Sequence, residues 1–251
     1  MKNMIYLCNN SLLKMSENIV YNKRNKVLKG EKMFNRFKNI STYMQATIVL
    51  ILINCIVFLV TLSKGATVDV FIQYGAMYKP LVQFKYEFWR FFTAMFLHAD
   101  AMHLTMNVYS LYLAGKILEP IFGTYRFLLI YFAGGLLGNL FSYGLHGIST
   151  VSLGASSAVF GLFSTIVLLT KVFPHHKGIY IQSQQFFVVI CINLIYSLSP
   201  GIDLWSHVGG LIGGGLAGYC LGSWQIKPQQ KVISIVIYIG LLLSMFFIGF
   251  N

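Results

Sequence analysis

The chain has 251 residues, of which 56% are hydrophobic and 10% are charged. A water-soluble domain normally carries about 25% charged residues, so the composition excludes an ordinary soluble protein and indicates a membrane protein. The formal net charge of +12 could suggest a nucleic-acid partner. The basic residues are concentrated in alternate loops, however, and this distribution argues against nucleic acid and for a role in orienting the chain in a membrane.

Apolar segments of membrane-spanning length recur seven times along the chain. A spanning helix needs about 20 mostly apolar residues. We therefore predict an all-α, polytopic membrane helix bundle with seven transmembrane helices. In chain order, the segments one to seven are residues 46–63, 102–118, 126–145, 155–171, 184–200, 205–224 and 232–250.

The positions of the basic residues predict the orientation. Nine of the 19 Lys and Arg residues lie in residues 1–45, and seven crossings would put fifteen on the side of the N-terminus and four on the other side. Cytoplasmic loops are enriched in Lys and Arg. We expect a multi-pass protein of the cell membrane with a cytoplasmic N-terminus and an external C-terminus.

This topology divides the chain into three regions. Residues 1–45 form a basic cytoplasmic tail, residues 46–224 a six-helix core, and residues 225–251 an additional C-terminal transmembrane helix, whose role stays open. The tail lacks the features of a cleaved signal peptide and is expected to face membrane lipids. An alternative is that Met33 is the true start, because the run 29–31 resembles a translated ribosome-binding sequence.

The loop at residues 64–101 contains ten aromatic residues. Aromatic rings gather at membrane interfaces, so we expect this loop to fold against the outer leaflet beside the bundle. Its Trp89 and Arg90 have two interpretations. They could contact a substrate, or they could form an interfacial anchor with the guanidinium near lipid phosphate.

Two polar residues lie within apolar segments, Ser156 in segment four and His207 in segment six. Polar groups at bilayer depth are unfavourable without partners, so they are candidates for function. Gly210, Gly214 and Gly218 recur every four residues on one face of segment six, and segment four is also rich in small residues. Two such faces predict close helix packing, which would bring His207 beside Ser156.

Segment two begins near His98, His103 and Asn107. His103 and Asn107 are four residues apart and share one helix face. In the predicted topology segments two, four and six all run from outside to inside, so their polar groups lie in the same outer half of the membrane. The backbone N–H of Ser156 at a helix start could stabilise an oxyanion there.

At these residues the chain resembles the rhomboid family of intramembrane serine proteases. The resemblance covers roughly residues 46–222 and five family motifs occur in order. They are Trp89-Arg90; His98, His103 and Asn107 as H-x4-H-x3-N; Gly115, Glu119 and Gly123 as G-x3-E-x3-G; Gly154-Ala155-Ser156 as G-x-S; and Ser206-His207-Val208-Gly209-Gly210 as a histidine followed by small residues.

The resemblance implies a catalytic Ser-His dyad. Ser156 would be the nucleophile and His207 its base, without an acidic third member. His103, Asn107 and the backbone N–H of Ser156 would form the oxyanion hole.

The resemblance also implies three supporting residues, Gly154, Phe160 and His98. Phe160 would hold its ring against the catalytic imidazole, and His98 is expected to tie the loop to segment two. Ser157 departs from the family pattern, which commonly has glycine after the nucleophile. We expect this small side chain to be tolerated by the helix packing.

The implied activity is that of a serine endopeptidase that cleaves transmembrane segments of membrane proteins, without a cofactor. An inactive relative that binds membrane clients is the alternative, and a transporter is a further rival. The chain keeps both Ser156 and His207 and shows no paired repeats of transporter type, which favours the protease. Histidines spaced as H-x4-H are not the H-E-x-x-H of a zinc protease, so we expect no metal. The sequence leaves the oligomeric state open.

Other polar positions have structural interpretations. Asp203, four residues before His207, could cap the start of segment six or act as a third catalytic member. Glu119 and Arg126 bracket the turn between segments two and three, where an ion pair or carbonyl hydrogen bonds would fix the bend. The polar run 182–185 is expected at the cytoplasmic end of segment five, which we predict to be a mobile cover together with the external loops.

Overall fold

The computed structural model describes residues 44–173, 175–222 and 226–250. The basic tail predicted for residues 1–45, except its last two residues, and the question of the start at Met33 lie outside these residues.

The described residues form a helical bundle with one short antiparallel pair of strands. Seven of the helices are 17–23 residues long and match the seven predicted apolar segments, which confirms the predicted fold class. The helices are α1 (Gln45–Ser63), α2 (Val68–Gln73), α3 (Lys79–Lys85), α4 (Arg90–Thr93), α5 (Ala101–Phe122), α6 (Thr124–Leu145), α7 (Ser156–Val172), α8 (Lys177–Tyr196), α9 (Leu204–Leu221) and α10 (Pro228–Phe250); the strands are β1 (Met77–Tyr78) and β2 (Val151–Ser152).

By length and composition alone, four of these helices could cross a membrane, namely α1, α6, α8 and α10. The other three long helices differ from them in composition or length. α5 and α9 carry the polar residues of the predicted site, and α7 has 17 residues. The chain is thus a multi-pass membrane bundle.

The prediction for the fifth segment, residues 184–200, was wrong at both ends, because α8 spans Lys177–Tyr196. His176 begins this helix by accepting the backbone N–H of Ile179 on its ring nitrogen. The polar run 182–185 therefore lies inside the helix, where the Ser183 hydroxyl donates to the carbonyl of Ile166 on α7 at 2.9 Å. The apolar window ran too far because the turn after Tyr196 also contains apolar residues.

The centre of the bundle is a set of backbone contacts between α6, α7 and α9, which we call the glycine seam. A Cβ atom added to Gly214 would overlap the backbone of Gly161, and one added to Gly210 would overlap the carbonyl of Ser157. Gly134 of α6 also faces Gly161, and a Cβ there would stand 3.1 Å from the Cα of Gly161. The close approach of segments four and six predicted from glycine spacing is confirmed, and it brings the first turns of α7 and α9 together.

The glycine seam generates a stability prediction. Gly214→Ala should lower the free energy of unfolding by about 2 kcal/mol or more, because the new methyl group meets backbone that cannot rotate away. Gly240→Ala is the matched control, because a Cβ there meets nothing within 4 Å. That change should be neutral or stabilise α10 by about 0.5–1 kcal/mol. The measurement is thermal unfolding in detergent, and equal midpoints for the two variants would contradict the seam.

Glu119 at the end of α5 fixes the start of α1. Its carboxylate accepts the backbone N–H groups of Ala46 at 2.8 Å and Thr47 at 2.9 Å, and also the Thr47 hydroxyl at 2.6 Å. The Thr124 hydroxyl adds a fourth hydrogen bond at 3.0 Å. The predicted ion pair with Arg126 and the predicted carbonyl hydrogen bonds at the bend were wrong. The carboxylate instead accepts the first N–H groups of α1, which have no partner within their own helix.

The two glycines of the same motif, Gly115 and Gly123, are required for different structural reasons. A Cβ on Gly115 would overlap the Thr47 side chain, so only glycine lets α1 come close to α5. Gly123 has φ +78° at the turn between α5 and α6, a conformation that other residues rarely adopt. The G-x3-E-x3-G motif is therefore a device that joins α1, α5 and α6.

We expect Glu119→Ala to lower the free energy of unfolding by about 2–3 kcal/mol, because buried N–H groups would lose their acceptor. Glu119→Gln keeps one oxygen acceptor and should lose less. Lys116→Ala changes an exposed side chain on the same helix and should stay within about 0.5 kcal/mol of the parent protein. Unfolding midpoints in detergent measure all three, and an unchanged midpoint for Glu119→Ala would show that water replaces the carboxylate.

The aromatic loop at residues 64–100 folds onto the bundle. It contains α2, β1, α3 and α4 and ends in a short 3-10 turn at Ala94–Phe96. The ring of Phe91 packs against Tyr143 of α6 at 5.5 Å, and that of Phe88 packs against Phe246 of α10 at 5.6 Å. The predicted packing against the bundle is confirmed, and the location in the outer leaflet stays a prediction.

Arg90 holds this loop together from inside. Its guanidinium donates to the carbonyls of Ile72 at 2.7 Å and Ala76 at 2.9 Å and pairs with Glu87, and the residue is 3% exposed. Both sequence interpretations of Arg90, a substrate contact and an anchor at lipid phosphate, were therefore wrong. Trp89 stacks on the guanidinium at 4.6 Å and is itself partly exposed.

Candidate active site

Ser156 is the first residue of α7, and the preceding chain is fixed by the aromatic loop. β2 pairs with β1 so that Ser152 lies opposite Met77. Two residues later the N–H of Gly154 donates to the carbonyl of Ala94 at 2.9 Å. Gly154 has φ +128°, which favours glycine and turns the chain into the helix. The side chain of Ser156 is thereby held at the helix start.

His207 lies in the first turn of α9, where its orientation depends on the helix cap. The Asp203 carboxylate accepts the backbone N–H of Ser206 at 2.9 Å, which confirms the expected capping role. Asp203 uses the same oxygen to bind the Nε2 atom of His146 at 2.8 Å. The carboxylate therefore caps α9 and binds His146. It makes no hydrogen bond to His207, so the alternative role as a third catalytic member was wrong.

The glycine seam brings the Ser156 hydroxyl and the His207 imidazole into contact. The Oγ atom of Ser156 lies 2.9 Å from Nε2 of His207. The ring of Phe160 stacks on the imidazole with centroids 4.3 Å apart and an interplanar angle of 14°. A hydroxyl bonded to an imidazole nitrogen is the arrangement in which a base can activate a serine nucleophile.

His103 lies on the other side of the Ser156 turn. A Cβ added to Gly154 would stand 2.8 Å from Nε2 of His103, so glycine is also needed here for close approach. The Asn107 side chain is buried, and its amide donates to the carbonyl of His103 one turn earlier at 2.9 Å. The structure therefore brings His103 against the Ser156 segment, while this hydrogen bond of Asn107 stays within α5.

His98 is fully buried between the loop and α5. Its ring meets that of His103 edge to face with centroids 5.0 Å apart. Burial lowers the pKa of His98 to about 3, and the neighbouring His103 adds to this, so the ring is neutral at physiological pH. Neither ring nitrogen has a hydrogen-bond partner in the described part of the chain, so the ring contact with His103 is what joins the loop to α5, and the structural role of His98 stays a prediction.

Ser157, the departure from the family pattern, points away from the dyad. Its Cβ faces Gly138 of α6, and its hydroxyl is fully buried without a hydrogen-bond partner in the described part of the chain. The small residues of α6 and α9 accommodate it. Ser157 therefore belongs to the glycine seam, and Ser156 is the serine that faces His207.

Two residues near the dyad were missed by the sequence analysis. Ser197, the residue after α8, places its hydroxyl 2.6 Å from the Nδ1 atom of His207. His146, the residue after α6, binds Asp203. Neither position has a motif or a helical spacing relative to His207 that would have indicated the contact.

The pair of His146 and Asp203 connects the end of α6 to the start of α9. Burial opposes ionisation of Asp203, but the hydrogen bonds from His146 and the Ser206 backbone, together with the nearby hydroxyls of Ser142 and Ser152, lower its pKa below the usual range. The hydrogen bond to Asp203 in turn raises the pKa of His146, against a smaller opposing effect of burial. The two groups thus favour the ionised pair.

Fold and site together define a class of protein, a multi-pass helical membrane protein in which a serine and a histidine from separate helices are hydrogen-bonded. Comparison with known proteins identifies the family. The Rhomboid domain model matches residues 85–224, which is more than half of the chain. The chain belongs to the rhomboid family.

Individual relatives support the same assignment. The chain is 38% identical over 160 residues to RHOMBOID-like protein 6, mitochondrial, of Arabidopsis thaliana, covering 62% of this chain and 50% of that protein. It is 31% identical over 201 residues to rhomboid protease GluP of Bacillus subtilis, covering 77% of this chain and 38% of GluP. Rhomboid-like protease 1 of Toxoplasma gondii is 30% identical over 158 residues, covering 61% of this chain and 52% of that protein. The chain thus spans about half or less of the length of these relatives.

The raised pKa of His146 predicts a pH-dependent stability. A histidine with a higher pKa in the folded state stabilises the protein fully below its ordinary value near 6.5, and this contribution is lost as the pH rises through the folded-state pKa. Between about pH 6 and pH 8.5 the unfolding midpoint of the parent protein should therefore fall relative to that of His146→Gln. His175→Gln, in an exposed turn, is the control and should follow the parent protein. If the unfolding midpoints of the parent protein and His146→Gln changed with pH in the same way, the ion pair of His146 and Asp203 would be contradicted.

Proposed function

We propose that this chain is an intramembrane serine endopeptidase that cleaves transmembrane segments of other membrane proteins. The observation that carries the proposal is the 2.9 Å contact between the Ser156 hydroxyl and Nε2 of His207, with the Phe160 ring stacked on the imidazole. Membership of the rhomboid family and relatives named as rhomboid proteases support it.

In the proposed reaction, His207 accepts the proton of the Ser156 hydroxyl at Nε2 while Oγ attacks the carbonyl carbon of the scissile peptide bond. The imidazolium then gives this proton to the leaving amine, and an ester to Ser156 remains. A water molecule, deprotonated by His207, hydrolyses the ester and restores the serine.

The negative charge on the attacked carbonyl oxygen needs donors that are already in place. The proposed donors are the backbone N–H of Ser156 at the start of α7 and the side chains of His103 and Asn107. The amide of Asn107 has two N–H donors, and one is held by the His103 carbonyl. The second is the proposed donor to the oxyanion. The site needs no metal or cofactor in this scheme.

The proposed location is the cell membrane, with residues 1–45 in the cytoplasm, residues 46–224 as the protease core and residues 225–251 as an added spanning helix. The site would open to the exterior. An intact substrate helix keeps its carbonyls hydrogen-bonded, so segments weakened near their outer ends by glycine or similar residues should be preferred.

The test is cleavage of a fluorescent transmembrane substrate by the purified full chain in liposomes. Ser156→Ala and His207→Ala should abolish turnover, because loss of either member costs on the order of 10⁶-fold in a soluble serine protease. Ser157→Ala is the matched control, since it removes the neighbouring hydroxyl, which faces the glycine seam. It should retain activity and unfold at an equal or higher temperature, because an unpaired buried hydroxyl is lost.

Two outcomes would reject the proposal. Cleavage that survives Ser156→Ala would show that another group is the nucleophile. A folded parent protein that neither cleaves nor reacts with a fluorophosphonate at Ser156 would favour an inactive relative that binds membrane clients.

A further inference from the structure

The imidazole of His207 has a hydrogen-bond partner on each of its two nitrogens. Nε2 faces Ser156, and Nδ1 lies 2.6 Å from the hydroxyl of Ser197. Ser197 is 3% exposed and His207 8% exposed, so neither contact is replaced readily by bulk water. Ser197 follows the last residue of α8, and the second contact therefore joins α8 to the base on α9.

A count of protons assigns the direction of this second hydrogen bond. The Ser197 hydroxyl also lies 2.6 Å from the backbone carbonyl of Asn193, one turn earlier in α8. A carbonyl oxygen only accepts, and a hydroxyl has a single proton to donate. The Ser197 proton is thus engaged by Asn193, and its oxygen is left to accept a proton from Nδ1 of His207.

This direction determines the tautomer of His207. A neutral imidazole carries one N–H, so protonation at Nδ1 leaves Nε2 with a lone pair. That lone pair faces the Ser156 hydroxyl, which is the arrangement needed to accept its proton. With the opposite tautomer, Nε2–H would point at Ser156 and could not act as a base.

We propose that Ser197 is a positioning residue that holds His207 in the Nδ1–H tautomer and fixes the plane of the ring; this rests on the proposed function. No proton moves to Ser197 during the reaction. When His207 takes the proton of Ser156, the ring becomes cationic and the Nδ1–H···Oγ bond becomes charge-assisted and stronger.

The choice of a neutral hydroxyl for this position has a physical reason. A buried carboxylate beside His207 would need several compensating partners in a membrane bundle. The nearby carboxylate of Asp203 is already engaged by His146 and by the backbone of Ser206. A serine bonded back to its own helix supplies an oriented acceptor without adding charge.

The experiment compares Ser197→Ala with Ser197→Thr in the full chain reconstituted with a transmembrane substrate. Loss of the acceptor should lower kcat about 10-fold or more with an unchanged KM, because the hydrogen bond that is lost is charge-assisted once His207 is protonated. Threonine keeps the hydroxyl and should recover most of the loss. Ser199→Ala, an exposed position two residues later, is the control and should match the parent protein. Unfolding midpoints confirm that all variants are folded.

A second measurement is independent of turnover. Nitrogen-15 NMR of histidine-labelled protein, with His207→Ala to assign the signals, should show a protonated Nδ1 and an unprotonated Nε2 in the parent protein. Ser197→Ala should change this pattern. A protonated Nε2 in the resting parent protein, or a kcat for Ser197→Ala within twofold of a parent whose activity requires Ser156, would overturn the proposal.

The two proposals fail in different ways. Absence of any Ser156-dependent cleavage would reject the protease, while the NMR signals of His207 would still decide the role of Ser197.

Discussion

The structure depends on one contact, the meeting of the backbones of α7 and α9 at Gly161, Gly210 and Gly214. In a membrane, helices gain little from the hydrophobic effect on association, so close van der Waals packing and interhelical hydrogen bonds become decisive. The seam also sets the separation of the axes of α7 and α9, and a change of side-chain rotamer could not compensate for a larger separation. Ser156 and His207 stand at the starts of these two helices, and a wider separation of the helix axes would break a contact of 2.9 Å.

Three charged side chains follow a common pattern in which each joins segments that are separate along the chain. Glu119 accepts the first N–H groups of α1, Arg90 donates to two loop carbonyls, and Asp203 caps α9 while holding His146. Buried charges are tolerated when their hydrogen bonds are satisfied, and each of these groups joins pieces of chain that apolar packing alone would not align. The site is therefore fixed by a few polar ties around a core of glycine contacts.

Much of this could be predicted from the sequence. Long apolar runs indicated the seven helices, and glycines spaced by four indicated the face of α9 that packs against α7. The failures occurred where the cause lies outside a local pattern. Hydropathy does not mark the turn after Tyr196, so α8 was placed too late in the chain. Arg90 was assigned to the surface because its carbonyl partners come from a loop whose fold no periodicity describes. Ser197 had no motif, since its importance comes from the return of the chain between α8 and α9.

The location of Ser197 has a consequence for how events in this membrane protein are ordered in time. α8 buries a single stripe of residues, Ile179, Ser183, Phe186 and Ile190, so it is held less firmly than the helices of the seam. A helix with its side chains is about 10 Å wide, and a displacement of α8 that admitted a guest helix would carry Ser197 far from the imidazole. Under the proposed function, the His207 imidazole would regain its Ser197 partner only after α8 returned to the position it has in this structure, so substrate admission would precede bond cleavage.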